Sequence, residues 1–95
     1  MKTDLFSVDL KNRTDDMLDI TVYIKKGLDV IKKSTAETNH IVFLMEHGTY
    51  KVFVLFKRNK LIWATDDIVV SIPEQLQIDI DLAKATIDDS TVDPY

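Results

Sequence analysis

The chain has 95 residues, room for one domain with one core, and 45% of them are apolar and 29% charged, a soluble globular mixture. Sixteen acids against twelve bases leave a formal net charge of −4, which argues against a general nucleic-acid binder. The absence of cysteine excludes a disulfide framework, a thiolate zinc site and a cysteine nucleophile.

No uninterrupted apolar run exceeds five residues, as in 41–45, far below the ~20 needed to span a bilayer. Met1-Lys2-Thr3-Asp4 leads into no hydrophobic signal segment. These features favour a cytoplasmic location without membrane insertion.

In chain order, a first strand is expected over 4–10. The second, 18–26, alternates, with Ile20, Val22 and Ile24 on one face. Lys26-Gly27 marks a hairpin turn in which glycine supplies a positive φ, and a strand over 28–33 follows. A short β-branched and aromatic strand covers 40–46. His47-Gly48 separates it from 49–58, the strongest strand of the chain. There Tyr50, Val52, Val54 and Phe56 share one face, and Phe53 and Leu55 make the other face apolar too, the pattern of a central or covered strand. Arg58-Asn59-Lys60 is a polar gap in which Asn59 tolerates a left-handed conformation.

Residues 61–72 read either as one long strand with a bulge at Thr65-Asp66-Asp67 or as two strands with a corner. Pro73 ends that run. In 75–82, Leu76, Ile78, Ile80 and Leu82 recur every second residue. They cannot share one helix face, so a strand is expected there in preference to a helix. Beyond Lys84 the pattern fades into an acidic tail. The domain is therefore expected to occupy 1–82, with 83–95 a linker or tail. The charge divides at nearly the same place. Residues 1–78 hold eleven acids and eleven bases, whereas 79–95 hold five acids and one base. Seven short strands separated by turn signals predict an all-β, antiparallel, immunoglobulin-like sandwich.

Two stretches carry a family resemblance. They are Val22-Tyr23-Ile24-Lys25-Lys26-Gly27-Leu28-Asp29-Val30-Ile31-Lys32-Lys33 and Gly48-Thr49-Tyr50-Lys51-Val52-Phe53-Val54-Leu55-Phe56-Lys57-Arg58-Asn59-Lys60. Across roughly 18–72 the chain resembles the immunoglobulin-like or fibronectin-III-like modules of the triple-tyrosine kind, which carry a lysine- and glycine-tipped hairpin and Gly-x-Tyr-x-Val strands. The resemblance implies a non-catalytic module of a larger bacterial protein, one that packs on a neighbouring domain or recognises a partner in surface-glycan machinery.

Gly27, Gly48 and Tyr50 are expected to be structural. Tyr50 either returns its hydroxyl to the preceding connection as a tyrosine corner, or is an inward aromatic with a solvated hydroxyl.

Candidate chemistry is thin. His40 and His47 flank one strand, with Cα atoms ~20 Å apart, too far to share a metal. Asp15-Asp16 and Asp66-Asp67 are loop acids of the type that serves calcium, but no spaced calcium loop is present. No hydrolase elbow, phosphate loop or zinc-helix motif occurs, so neither an enzyme nor a cofactor is expected.

Binding surfaces remain. Lys25, Lys26, Lys32 and Lys33 bracket one hairpin; Lys51, Lys57, Arg58 and Lys60 bracket another. Together they make a candidate basic patch for a glycan or an acidic partner, against the alternative of solubilising lysines on strand edges. Val42, Leu44, Phe53 and Leu55 form a candidate second apolar face, either covered by the 75–82 segment or an interface, joined by Trp63 unless that residue fills the core. The expected role is docking to a neighbouring domain. The alternatives are a glycan- or calcium-binding module and a self-associating homodimer subunit.

Overall fold

The computed structural model describes residues 2–72 and 74–88. Pro73 and the expected acidic tail beyond Asp88 lie outside the described residues.

Alternating apolar residues with few glycines and prolines give nine strands among the described residues. They are β1 (Thr3–Lys11), β2 (Leu18–Lys26), β3 (Asp29–Thr35), β4 (His40–Glu46), β5 (Gly48–Arg58), β6 (Leu61–Ala64), β7 (Ile68–Ile72), β8 (Leu76–Asp79) and β9 (Lys84–Asp88), with a single 3-10 turn at Ile80–Leu82. They build an all-β sandwich of two sheets. The smaller sheet has the order β4-β1-β8. The larger runs β3-β2-β5-β6-β9, with β7 also paired to β5.

In β1, β2, β4 and β5 one apolar row faces the other sheet. Phe6, Val8 and Leu10 of β1 meet Ile20, Val22 and Ile24 of β2 and Tyr50, Val52, Val54 and Phe56 of β5 in one buried core. Ile41, Phe43 and Met45 of β4 and Ile78 of β8 complete the small sheet's side. Each such side chain contributes about 1.5–3 kcal/mol on burial.

One open alternative is resolved and three expectations change. The run 61–72 is two strands, because Thr65 caps the neighbouring strand. Its hydroxyl accepts from the Val54 N–H at 2.8 Å, and its own N–H donates to the Val54 carbonyl at 3.0 Å. Thus β6 pairs with residues 55–58 of β5 and β7 with residues 48–52, end to end along one side.

The strand expected over 75–82 stops at Asp79, whose carboxylate accepts from the Asp81 N–H and starts the 3-10 turn. The remaining strand, β8, lies parallel to β1, so the small sheet is mixed and not purely antiparallel. Finally, the sheet continues past Leu82, where a boundary is expected, because β9 pairs with β6.

The turns follow the residues. Gly27 opens the two-residue β2–β3 turn at φ 65°, the position a glycine-led hairpin turn requires. The β5–β6 turn is two residues long, and Asn59 and Lys60 both have positive φ (54° and 63°), the combination of a type I′ turn. Asp19, at φ 52°, is the extra residue of a bulge where β2 starts along β5. Gly48 opens β5 under the Tyr50 ring, where an added Cβ would lie 3.6 Å from the ring.

The Tyr50 hydroxyl donates to the Glu46 carbonyl at 2.9 Å, four residues upstream. Tyr50 is therefore a tyrosine corner that binds the end of β4 to the start of β5.

Candidate interaction surface

The expected second apolar face does not exist as one surface. Val42 and Leu44 point away from the core on β4, in the small sheet. Phe53 and Leu55 point away from it on β5, in the large sheet. The two pairs therefore stand on opposite outer sides of the sandwich.

Phe53 and Leu55 are 4% and 9% exposed and form a second cluster with Tyr23 and Ile62, against which Val30 and Ala64 pack. The Tyr23 and Phe53 rings stack at 5.0 Å, nearly parallel at 9°, and the Lys25 ammonium stands 5.1 Å from the Phe53 ring centre. These residues are core, not candidate interface. Trp63 is on the inner side. It stacks on Phe56 with ring centres 6.4 Å apart, donates from Nε1 to the Arg58 carbonyl at 2.9 Å, and lies 4.4 Å under the Arg58 guanidinium.

One group of exposed apolar residues lies together on the small sheet. Val42 and Leu44 are 45% and 57% exposed, and Leu5, which sits directly opposite Leu44 across the β1–β4 ladder, is 65% exposed. Leu5 was not among the expected interface residues. Its signal is faint in sequence, since the rest of its outward row is Thr3, Ser7, Asp9 and Lys11.

The basic patch also divides. In the β2–β5 ladder Lys25 lies opposite Lys51, whereas Lys57 lies opposite Leu18 at the far end, about 20 Å along the strand. At the first end the lysines have local partners. Lys25 pairs with Asp67 at 2.7 Å, which offsets the repulsion between Lys25 and Lys51. Lys26 stands 5.9 Å over the Tyr50 ring, and Lys32 donates to the Leu44 carbonyl. Lys33 is exposed opposite Tyr23. At the other end Lys57 is 3.7 Å from Asp19 and Arg58 3.5 Å from Asp81.

The two histidines stand at opposite ends of β4, each tied to β1. His40 Nδ1 is 2.6 Å from Asp9, and His47 Nε2 is 3.0 Å from Asp4. Asp66-Asp67 lies between β6 and β7, and Asp15-Asp16 in the β1–β2 connection. Among the described residues no three histidine, aspartate or glutamate side chains gather as metal ligands would.

Between the open edges of β3 and β4 runs a cleft of about 380 Å3, lined by Lys26, Ile31, Lys32, Leu44 and Tyr50 among others. Exposed leucine and valine, a strand edge and neighbouring ammonium groups meet on this side. No family model, curated protein or solved structure matches the chain.

Proposed function

We propose that the domain is a non-catalytic interaction module that docks through the outer face of its small sheet. One observation carries this reading: Leu5, Val42 and Leu44 are large, exposed and adjacent on a single sheet face. Apolar neighbours grouped in this way are a feature of interaction sites, whereas scattered surface leucines are ordinary. On the large sheet the Tyr23, Phe53, Leu55 and Ile62 cluster covers much of the outer face, and Val69 there is exposed without an exposed apolar partner directly opposite it, since it faces Lys51. The triple-tyrosine resemblance supports an accessory module beside a larger bacterial machinery, with surface glycans as its context. A ligand-binding reading is favoured by the cleft lysines, Lys26 and Lys32, which suit an anionic group.

The test places a photo-crosslinking residue at Leu5 or Leu44 in the native cell, with Lys51 on the opposite sheet as control. A discrete adduct at both leucine positions and none at Lys51 is expected. Equal labelling everywhere, or no adduct at the leucine positions, overturns the reading.

A further inference from the structure

β4 bonds to β1 on one side and, among the described residues, is open on the other. In an antiparallel strand the N–H and C=O of one residue point the same way, and successive residues alternate. The Asn39 carbonyl accepts from the Leu10 N–H, and the His47 N–H donates to the Lys2 carbonyl, so odd-numbered residues face β1. His40, Val42, Leu44 and Glu46 therefore turn their main chain to the open edge.

Three carbonyls there are held by side chains alone. Thr38 Oγ1 donates to His40 at 2.9 Å, Lys32 Nζ to Leu44, and Tyr50 Oη to Glu46 at 2.9 Å. The N–H groups of Val42, Leu44 and Glu46 have no strand partner on that side among the described residues. The N–H groups of an added strand would replace the three side-chain donors one for one. The adjoining cleft keeps the edge within reach.

The edge sequence is complementary to itself in one register. Alternation lets only even-numbered residues face even-numbered ones. With Phe43 on a two-fold axis, His40 meets Glu46 of the second copy at each end, and Val42 meets Leu44 twice. Centring on Val42 instead sets His40 against Leu44, and centring on Leu44 sets Glu46 against Val42. Only the first choice pairs an imidazole with a carboxylate and apolar with apolar. It also brings Leu5, Val42 and Leu44 of both copies onto one continuous outer face.

We propose that the open edge of β4 is a homodimerisation site, at which a second copy adds its β4 antiparallel with Phe43 on the two-fold. Lys32, Tyr50 and Thr38 cap the edge until the partner strand displaces them. This names the partner for the docking surface above and rests on that reading.

The cysteine-free chain permits a register test. Val42→Cys protein is mixed with Leu44→Cys protein under mild oxidation. Directly opposed residues come within about 5.5 Å, inside disulfide reach, whereas 42–42 and 44–44 pairs are diagonal at roughly 7–8 Å. The mixed disulfide should dominate. Light scattering of the unmodified chain should show a dimer, and Lys32→Met, which uncaps Leu44, should tighten it at least about fivefold. Val42→Pro deletes an N–H only on the open side, and Leu44→Lys places a charge opposite Val42. Both should remain folded by circular dichroism and become monomeric.

A monomer at every concentration with no excess of mixed disulfide overturns the proposal, as does a dimer that survives both substitutions. If Leu44 crosslinks to a different protein while the chain stays monomeric, the dimer falls and the docking reading stands. If neither leucine position crosslinks to anything, the docking reading falls as well.

Discussion

Tyr50 places a polar tip at the rim of an apolar core. Its ring packs with Val52 and Val54 on the inner face of β5, and its hydroxyl reaches the Glu46 carbonyl at the end of β4. That carbonyl has no strand partner on its side among the described residues, so the hydroxyl is its donor. Tyr50→Phe keeps the ring and removes the bond. The expected loss is about 1 kcal/mol, or roughly 4–8 °C of Tm for a domain of this size. Thermal unfolding followed by circular dichroism reads it, and an unchanged Tm would mean that the corner is not stabilising. Lys60 shows the opposite balance. It is held at φ 63° in the second central position of a type I′ turn, where a Cβ is strained and glycine is not. Lys60→Gly should stabilise the domain by about 0.5–1 kcal/mol, the steric relief less the entropy that glycine loses on folding. A fall in Tm would show that the lysine side chain matters more than its backbone.

At the level of strands, both β4 and β5 carry apolar residues that point outward, and the two outer faces meet different fates. Phe53 stacks on Tyr23 and is buried with Leu55 and Ile62, whereas Leu44 is more than half exposed. Phe53→Ser should therefore cost about 3–5 kcal/mol, as large-to-small changes in packed clusters do. Leu44→Ser, at concentrations where the chain is monomeric, should stay within about 0.5 kcal/mol, as surface changes do. Denaturant titration of the two variants distinguishes them, and similar losses would contradict the division between covered and open faces. That division also marks how far the sequence could be read. Period two in β2, β4 and β5 reveals which residues share a face, because side chains alternate along any strand. It says nothing of which sheet a strand joins, so Val42 and Leu44 read as companions of Phe53 and Leu55. Topology, set by the β1–β4 and β2–β5 ladders, separates them. β9 was hidden for a related reason. Lys84-Ala85-Thr86-Ile87-Asp88 is too short and mixed to declare itself, and its strand conformation is fixed by pairing along β6. By contrast, Gly27 and Asn59 were legible, since the need for positive φ is a local property of the turn.

The molecule as a whole closes through its most distant pairing. β2 and β3 meet across a two-residue turn, and β4 and β5 are joined by the Tyr50 corner. β1, however, must find β8 across nearly the full described chain, with Val8 opposite Leu76 and Leu10 opposite Ile78. Loop-closure entropy makes such a contact late, because the chain between the partners must be ordered before the contact gains anything. An all-β topology of this kind folds in about milliseconds to seconds. Trp63, the sole tryptophan, reports the event, since it is stacked on Phe56 and Arg58 only in the folded state. Two buried residues then separate early from late structure. Val22, opposite Val54 in the central β2–β5 ladder, belongs to pairings between nearer strands, and Leu10 belongs to the β1–β8 closure. In stopped-flow experiments Val22→Ala should slow refolding, while Leu10→Ala should leave refolding nearly unchanged and speed unfolding, because interactions absent from the transition state act on the unfolding limb. If Leu10→Ala slows refolding as much as Val22→Ala does, β1 is already docked on β8 at the barrier, and the small sheet forms with the large one and not upon it.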